Sequence, residues 1–305
     1  MMVRIFGRKS YGLAAADLPD LAALKRAARR RRQRVPVGAI ILLGPLVIFG
    51  LFGPWIAPHD IMVVDSANAL RPPAWMEGGS WSYLLGTDKF GRDLLSVLMV
   101  GARTSLIVCV VGVLFAGIIG VVLGLLAGYF GKWIDNLIMR IVDVVMSIPG
   151  ILFMLLLAAA LGPGIKTIII SMGLLMWCGY TRVMRGEVLS IKQRDFVAMA
   201  KVMGIGQSRI LIRHILPSVG STVIVMATLQ AGGAIMMEGG LSFLGLGVQP
   251  PYTTWGRIIA ENRNVMTTAW WVPVFAGLLL IMAIWGFNVL GDWLRDVMDP
   301  KMRRR

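Results

Sequence analysis

The sequence predicts an all-α polytopic membrane protein with six transmembrane helices, and three observations carry that prediction. The chain is 305 residues long, 57% hydrophobic, with a mean hydropathy of +0.74, whereas soluble domains hold roughly 45–50% apolar residues. The apolar residues gather into six runs, and a helix needs about 20 of them to cross the hydrocarbon. The runs are continuous rather than alternating, which favours helices over barrel strands.

The basic segment 1–34 comes first. Asp17 as cap and Pro19 near the first turn predict a short helix over "LAALKRAARRRRQR", with its arginines against anionic lipid headgroups. The first span is Val35 to Ala57. Its apolar run exceeds the ~7–15 residues of a signal-peptide core, and no A-x-A site follows, so it is expected to stay uncleaved. Residues 58–103 form an extracytoplasmic segment, and residues 104–297 form the core. The further spans are Thr104 to Phe130, Ile134 to Leu161, Ile165 to Val183, Ile215 to Met237 and Val272 to Leu290. A basic tail, 298–305, closes the chain.

Charge sets the orientation. With the N-terminus inside, only Arg71, Lys89, Arg92, Arg103, Lys166, Arg257 and Arg263 of the 31 lysines and arginines fall outside. That asymmetry predicts cytoplasmic N- and C-termini.

Within the spans, Gly112, Ala116, Gly120, Gly124 and Gly128 recur every four residues, a row that lets another helix approach closely. It suits the heart of a translocation unit or simply a good packing face. Arg140 and Asp143 are three apart and are expected to pair on one helical face. Pro149–Gly150 should bend the third span, since proline removes a backbone bond.

Two outer segments are too patterned to be connectors. In "LLGTDKFGRDLLSVLMVGARTSL" the charges Asp88, Lys89, Arg92 and Asp93 surround Gly91, and an amphipathic piece leads into the second span. In "EGGLSFLGLGVQPPYTTWGRIIAENR" the glycines with Pro250 and Pro251 forbid a plain helix throughout, while Phe243 and Leu244 keep it attracted to the membrane. Such segments suit a gate or a docking platform, with a structural re-entrant plug as the competing interpretation. Glu238, an ionisable group near hydrocarbon, joins Asp88, Arg92, Asp93, Phe243, Leu244, Pro250 and Pro251 as a candidate there.

The stretch "DFVAMAKVMGIGQSRILIRHILPSVG" is a greasy, basic elbow on the predicted cytoplasmic side. Phe196, Met199, Ala200 and Met203 fall at i, i+3, i+4 and i+7, one apolar helical face. Gly204 suits the left-handed residue that ends a helix, and Ser208 suits the start of the next. Lys201, Arg209 and Arg213 flank the ridge, which can fill a groove on another protein or lie on lipid. Periodicity leaves both open.

Several classes are excluded. Cys109 and Cys178 sit inside apolar runs, which rules out a disulfide framework and an ordinary cysteine metal site. His59 and His214 are far apart, so a multi-histidine metal centre is not expected. The net charge of +15 is better explained by membrane orientation than by nucleic acid. There is no G-x-x-x-x-G-K-[ST] phosphate loop and no nucleophile–base constellation, so no catalytic residue is assigned.

The elbow resembles the cytoplasmic coupling motif of importer permeases in the ATP-binding-cassette superfamily, roughly E-A-A, three residues, G, nine residues, I/L, P. Here the alanine pair falls at Met199 and Ala200, the glycine at Gly204 and the proline at Pro217 after "RHIL"; the usual glutamate is Ala198. The motifs "LGTDKFGRDLLS", "GARTSL", "RHILPS", "LSFLGLGVQPP" and "NVLGDWLRDVMDP" resemble, in order, the second permease (dipeptide permease C type) of the dipeptide, oligopeptide and nickel importers. The resemblance runs from about Val35 to Pro300. It implies a type I importer permease fold in the inner (plasma) membrane. It also implies a heterodimeric pore with a sister permease, two cytoplasmic ATPases that bind ATP and magnesium, and an extracytoplasmic solute-binding protein. A coupling helix over about 190–214 would then use Phe196, Ala198, Met199, Ala200, Lys201, Gly204, Ile205, Arg209, Arg213, His214 and Pro217. Short peptides are the implied solute, with nickel chelates, oligosaccharides or amino-acid conjugates as alternatives. A membrane receptor or scaffold that does not transport is the alternative of another class.

Overall fold

The computed structural model describes residues 36–298; the expected N-terminal helix and nearly all of the basic C-terminal tail lie outside them. Among the described residues the structure is helical, without strands. Helix α1 is Val37–Ile56, α2 Leu94–Phe130, α3 Lys132–Ser147, α4 Gly150–Leu161 and α5 Ile165–Ile191. The elbow follows as α6 Asp195–Val202 and α7 Gln207–Ile210. A π turn, Leu211–Ile215, then leads into α8 Leu216–Phe243, followed by α9 Trp255–Asn262 and α10 Trp271–Met298.

The glycine row lies where α2 packs along α5. A Cβ on Gly112 would meet Met172, one on Gly124 would meet Met184, and one on Gly128 would meet Val188. Backbones therefore approach directly, and Thr181 donates its hydroxyl to the carbonyl of Gly120 at 3.2 Å. Small residues serve here as they do wherever lipid supplies no hydrophobic drive between helices. Helix α10 packs on α8 and α1, and α9 lies against α8 and α10.

Five helices are long and apolar enough to cross a membrane, and the sixth expected span is a broken pair, α3 and α4, bent by 88°. The bend expected at Pro149 is there, and at 88° it breaks the span into two helices. Proline drives the residue before it out of the helical region, and Ile148 is extended at φ −90°, ψ 128°. The twelve residues of α4 reach about 18 Å, less than the hydrocarbon thickness.

Other boundaries also move. Helix α2 begins at Leu94 rather than Thr104, because Asp93 accepts from the Ser96 amide at 3.0 Å and caps it there. Helix α5 runs to Ile191, past the expected Val183. Pro217 does not interrupt the run into α8. The preceding π turn shifts the bonding to five residues, with Leu216 N donating to Leu211 O, and so absorbs the proline. Helix α8 includes Glu238 and ends at Phe243, so the outer segment starts helical. Asp143 does not pair with Arg140; it meets Arg182 of α5 at 2.7 Å. Asp135 likewise pairs with Arg185, and these two bridges fix the polar face of α3 to α5.

Candidate functional site

The elbow is built by burial on one side and a tight stop. Val197 and Ala200 of α6 are buried in the core. Opposite them Met199 is 65% exposed, Val202 89% and Met203 70%, with Phe196 at 40%. The ridge predicted from spacing exists, with two corrections. Ala200 anchors the helix instead of joining the ridge, and Val202, absent from the expected set, is its most exposed member. The three-and-four spacing fits either side of so short a helix, so only packing against the bundle decides which face turns in. Ala198 is exposed beside Met199, so the missing glutamate would also have pointed outward.

The stop is the one expected. Gly204 has φ +74°, Gly204 N donates to Lys201 O at 3.0 Å and Ile205 N to Ala200 O at 3.1 Å. These are the paired bonds of a glycine-terminated helix. The next helix starts at Gln207 after extended Gly206, with no side-chain cap, so Ser208 is not the cap. Arg209, Arg213 and Pro217 are exposed and His214 is half-buried along the return. The coupling segment expected over 190–214 is thus an eight-residue helix, α6, between the end of α5 and a separate return. Lys201 does not flank the ridge. Its ammonium turns back over the ring of Tyr129, 5.9 Å from the centroid.

At the other end of the bundle the acidic candidates are held inside. Asp88 is fully buried. Its Oδ1 accepts from the amides of Phe90 (2.9 Å) and Arg92 (3.0 Å), and its Oδ2 binds the Arg92 guanidinium at 2.6 Å. Asp93 caps α2, accepts from Ser96 Oγ at 2.6 Å and stands 3.4 Å from His59 Nδ1. Neither carboxylate presents itself to a docking protein. Arg92 extends to Glu261 at 3.5 Å, Glu261 holds Arg257 at 2.7 Å, and Arg257 donates to the carbonyls of Val248 (2.9 Å) and Tyr252 (3.1 Å). Trp271 Nε1 donates to Thr87 O, and Trp75 meets Phe275 edge-on. Residues 58–93 are therefore a strap pinned to α9 and α10.

Glu238 is buried, and its Oε1 accepts from the hydroxyls of Ser242 (2.6 Å) and Thr254 (2.7 Å). Thr254 also accepts from Arg257 N at 3.2 Å and so caps α9. One end of α9 is tied to α8 through Glu238 and the other to the strap through Glu261. The remaining candidates are exposed, Phe243 as the last residue of α8 and Leu244, Pro250 and Pro251 on the loop between α8 and α9. That loop and α9 enclose a shallow pocket of about 220 Å³ lined by Phe243, Leu244, Gln249, Arg257, Glu261 and Arg263. Spacing offers the Arg257–Glu261 pair, four apart on α9, and the Thr254 cap, but not their links to Arg92 and Glu238, which lie on other elements. Among the described residues no three His, Cys, Asp or Glu side chains converge as a metal site would need.

An apolar bundle with a polar cap pinned at one end and an exposed apolar elbow at the other defines a multi-pass membrane protein. Residues 120–304 match the family described as "Binding-protein-dependent transport system inner membrane component", and the chain belongs to that family. It is similar to the "Di/tripeptide transport system permease protein DppC" of Pseudomonas aeruginosa, 39% identical over 267 residues and 88% of each chain. It is likewise similar to the "Glutathione transport system permease protein GsiD" of Escherichia coli O6:K15:H31, 40% identical over 275 residues, covering 90% of this chain and 89% of the relative. The "Oligopeptide transport system permease protein OppC" of Haemophilus influenzae is 37% identical over 278 residues, covering 90% and 88% respectively.

Proposed function

We propose that this chain is one half of a heterodimeric pore in an ATP-driven importer of short peptides, and that the α6 ridge is its grip on a partner ATPase. The carrying observation is the exposed row Phe196, Met199, Val202 and Met203 on a helix whose opposite side, Val197 and Ala200, is anchored in the core. An apolar helical face of this kind suits a hydrophobic groove. Because α6 is fixed to the bundle, movement of the groove passes into the spans as rigid-body motion. ATP and magnesium reside on the two ATPases, and this subunit is non-catalytic. The elbow and both termini face the cytoplasm, in keeping with the charge asymmetry. The strap and the α8–α9 loop face outward, where a solute-binding protein delivers its cargo.

Two further observations support the assignment. Ser221, Thr222 and Gln230 of α8 are only partly covered within a span, as polar groups lining a shared path would be. The relatives' names carry dipeptide, oligopeptide and glutathione, all of them peptide-linked amino acids.

Gly204→Val tests the grip. A Cβ there meets nothing within 4 Å, so the only obstacle is positive φ, which a β-branched residue resists. In proteoliposomes containing the whole transporter, peptide uptake per ATP hydrolysed should fall severalfold while the complex stays assembled. Unchanged uptake per ATP would show that the elbow does not transmit the stroke.

A further inference from the structure

Tyr129 is the last but one residue of α2, and two lysines from different elements converge on its ring. Lys192, just past α5, stands with its ammonium 5.7 Å from the ring centroid, and Lys201 of α6 stands at 5.9 Å. Lys192 also donates to the carbonyl of Tyr129. Tyr129 is itself buried, so the ring is a fixed post. The nearby cation Arg185 is neutralised by Asp135. Among the described residues neither lysine is paired with a carboxylate, the neighbouring Glu187 and Asp195 included. Two positive charges are thus gathered by packing and left without an anion.

The surroundings fix the depth. Trp133, Leu137, Ile141 and Val144 form an exposed apolar stripe down α3, Trp133 being 70% exposed. The opposite side of α3 is held to α5 by its two ion pairs, so the stripe is an outward face apolar enough to meet hydrocarbon. Phe130, exposed and edge-on to Tyr129, and Trp133 mark the level where hydrocarbon gives way to headgroups, as aromatic belts do. Lys132 is exposed at the same turn.

We infer that Lys192 and Lys201, held around Tyr129, form a binding site for the phosphate headgroup of an anionic phospholipid. The lipid would fill the corner between the end of α2, the end of α5 and the inner flank of α6, and so tie the elbow to the bilayer. Lys201 suits this role because it projects beside buried Val197, away from Met199 and Val202. The inference does not depend on the transported solute or on the ATPase contact.

The test uses the full chain in nanodiscs of equal parts phosphatidylcholine and phosphatidylglycerol, with the lipid retained after mild detergent extraction quantified by mass spectrometry. Wild type should hold phosphatidylglycerol in preference to phosphatidylcholine. K192Q/K201Q should lower that preference about tenfold. K166Q, which removes an exposed charge at the far end of α5, should leave it unchanged, and K192R/K201R should retain it. A thermal melt of each variant separates lost binding from lost folding. Equal retention by K192Q/K201Q and wild type would overturn the site. Displacement of the lipid by inorganic phosphate alone would make it a small-anion site instead. Retained lipid in K192Q/K201Q together with lost ATPase binding would assign the lysines to a protein contact.

Discussion

A Cβ added to Gly124 would stand 2.5 Å from the Cβ of Met184 and 2.9 Å from the carbonyl oxygen of Thr181. Neither obstacle is a flexible tip, and carbon atoms need about 3.5–4.0 Å. Gly124→Ala must therefore push α2 off α5, lowering stability by about 1–3 kcal/mol. Gly186→Ala, on the exposed side of α5 with nothing within 4 Å, should be neutral or stabilising by up to about 1 kcal/mol. Thermal unfolding of the two purified variants decides it; equal effects would mean that the close α2–α5 approach carries no energetic weight.

The two bridges from α3 to α5 differ in burial and should differ in worth. Asp135 is 14% and Arg185 34% exposed, whereas Asp143 and Arg182 are 58% and 46% exposed. Removing one partner of a sheltered, charge-assisted pair costs about 1–3 kcal/mol, and solvent around Arg185 places Asp135→Asn toward the lower end. Asp143→Asn should cost less than about 1 kcal/mol, as exposed pairs do. Denaturant unfolding that ranks Asp143→Asn as the costlier change would contradict this order.

These pairs also show where the sequence stops being informative. Arg140 and Asp143 satisfy local helical spacing, so local reasoning joined them. The actual partner, Arg182, lies 39 positions on, reachable only through the fold. The glycine row, by contrast, was legible because its four-residue period is a property of α2 alone, and Gly204 because left-handed backbone is a local demand. Ala200 turns inward and Val202 outward since orientation about an eight-residue axis is set by the bundle. Asp88 and Asp93 looked like surface charge because composition cannot register that Arg92 and the cap of α2 enclose them.

Glu238 should tolerate replacement of its carboxyl by an amide better than loss of its acceptor oxygen. Ser242 and Thr254 both donate to Oε1, and a glutamine carbonyl can still accept there. Glu238→Gln should stay within about 1 kcal/mol of wild type, whereas Glu238→Leu strands two buried hydroxyls at about 1–3 kcal/mol. Because Thr254 caps α9, faster hydrogen exchange over Trp255–Asn262 should accompany the leucine variant. Unaltered exchange in α9 would remove Glu238 from the support of that helix.

The strap depends on Arg92. Its guanidinium is the only described side chain joining Asp88 to Glu261. Arg92→Ala leaves the Asp88 carboxylate buried with backbone donors alone and leaves Lys89 N to Asn262 Oδ1, at 3.3 Å, as the remaining hydrogen bond from the strap to α9. Proteolytic cleavage within 58–93 should rise about tenfold, since local opening of a segment follows the loss of its few anchoring bonds. Wild-type cleavage rates in Arg92→Ala would mean that Lys89–Asn262, Trp75–Phe275 and Trp271–Thr87 hold the strap without it.

The outward face of α6 offers the sharpest contrast between neighbours. Met199 and Val202 project away from the bundle, while Val197, two residues before Met199, is buried. A charge at an outward position leaves the isolated subunit stable, because nothing in it packs there; the same charge at Val197 enters the core and destabilises the chain. Burying a methionine or valine is worth about 1.5–3 kcal/mol, and a desolvated aspartate adds a penalty on top. Met199→Asp and Val202→Asp should therefore weaken capture of the ATPases by at least about a hundredfold, close to 3 kcal/mol, without lowering the melting temperature of the permease. Ala198→Glu, on the same exposed side, should fold normally and keep the ATPases bound, since the coupling motif this elbow resembles carries glutamate at that position. Quantitative pull-down of the ATPase subunits by each variant measures this, and full-strength capture by Met199→Asp together with Val202→Asp would show that the ridge faces something other than a nucleotide-driven partner.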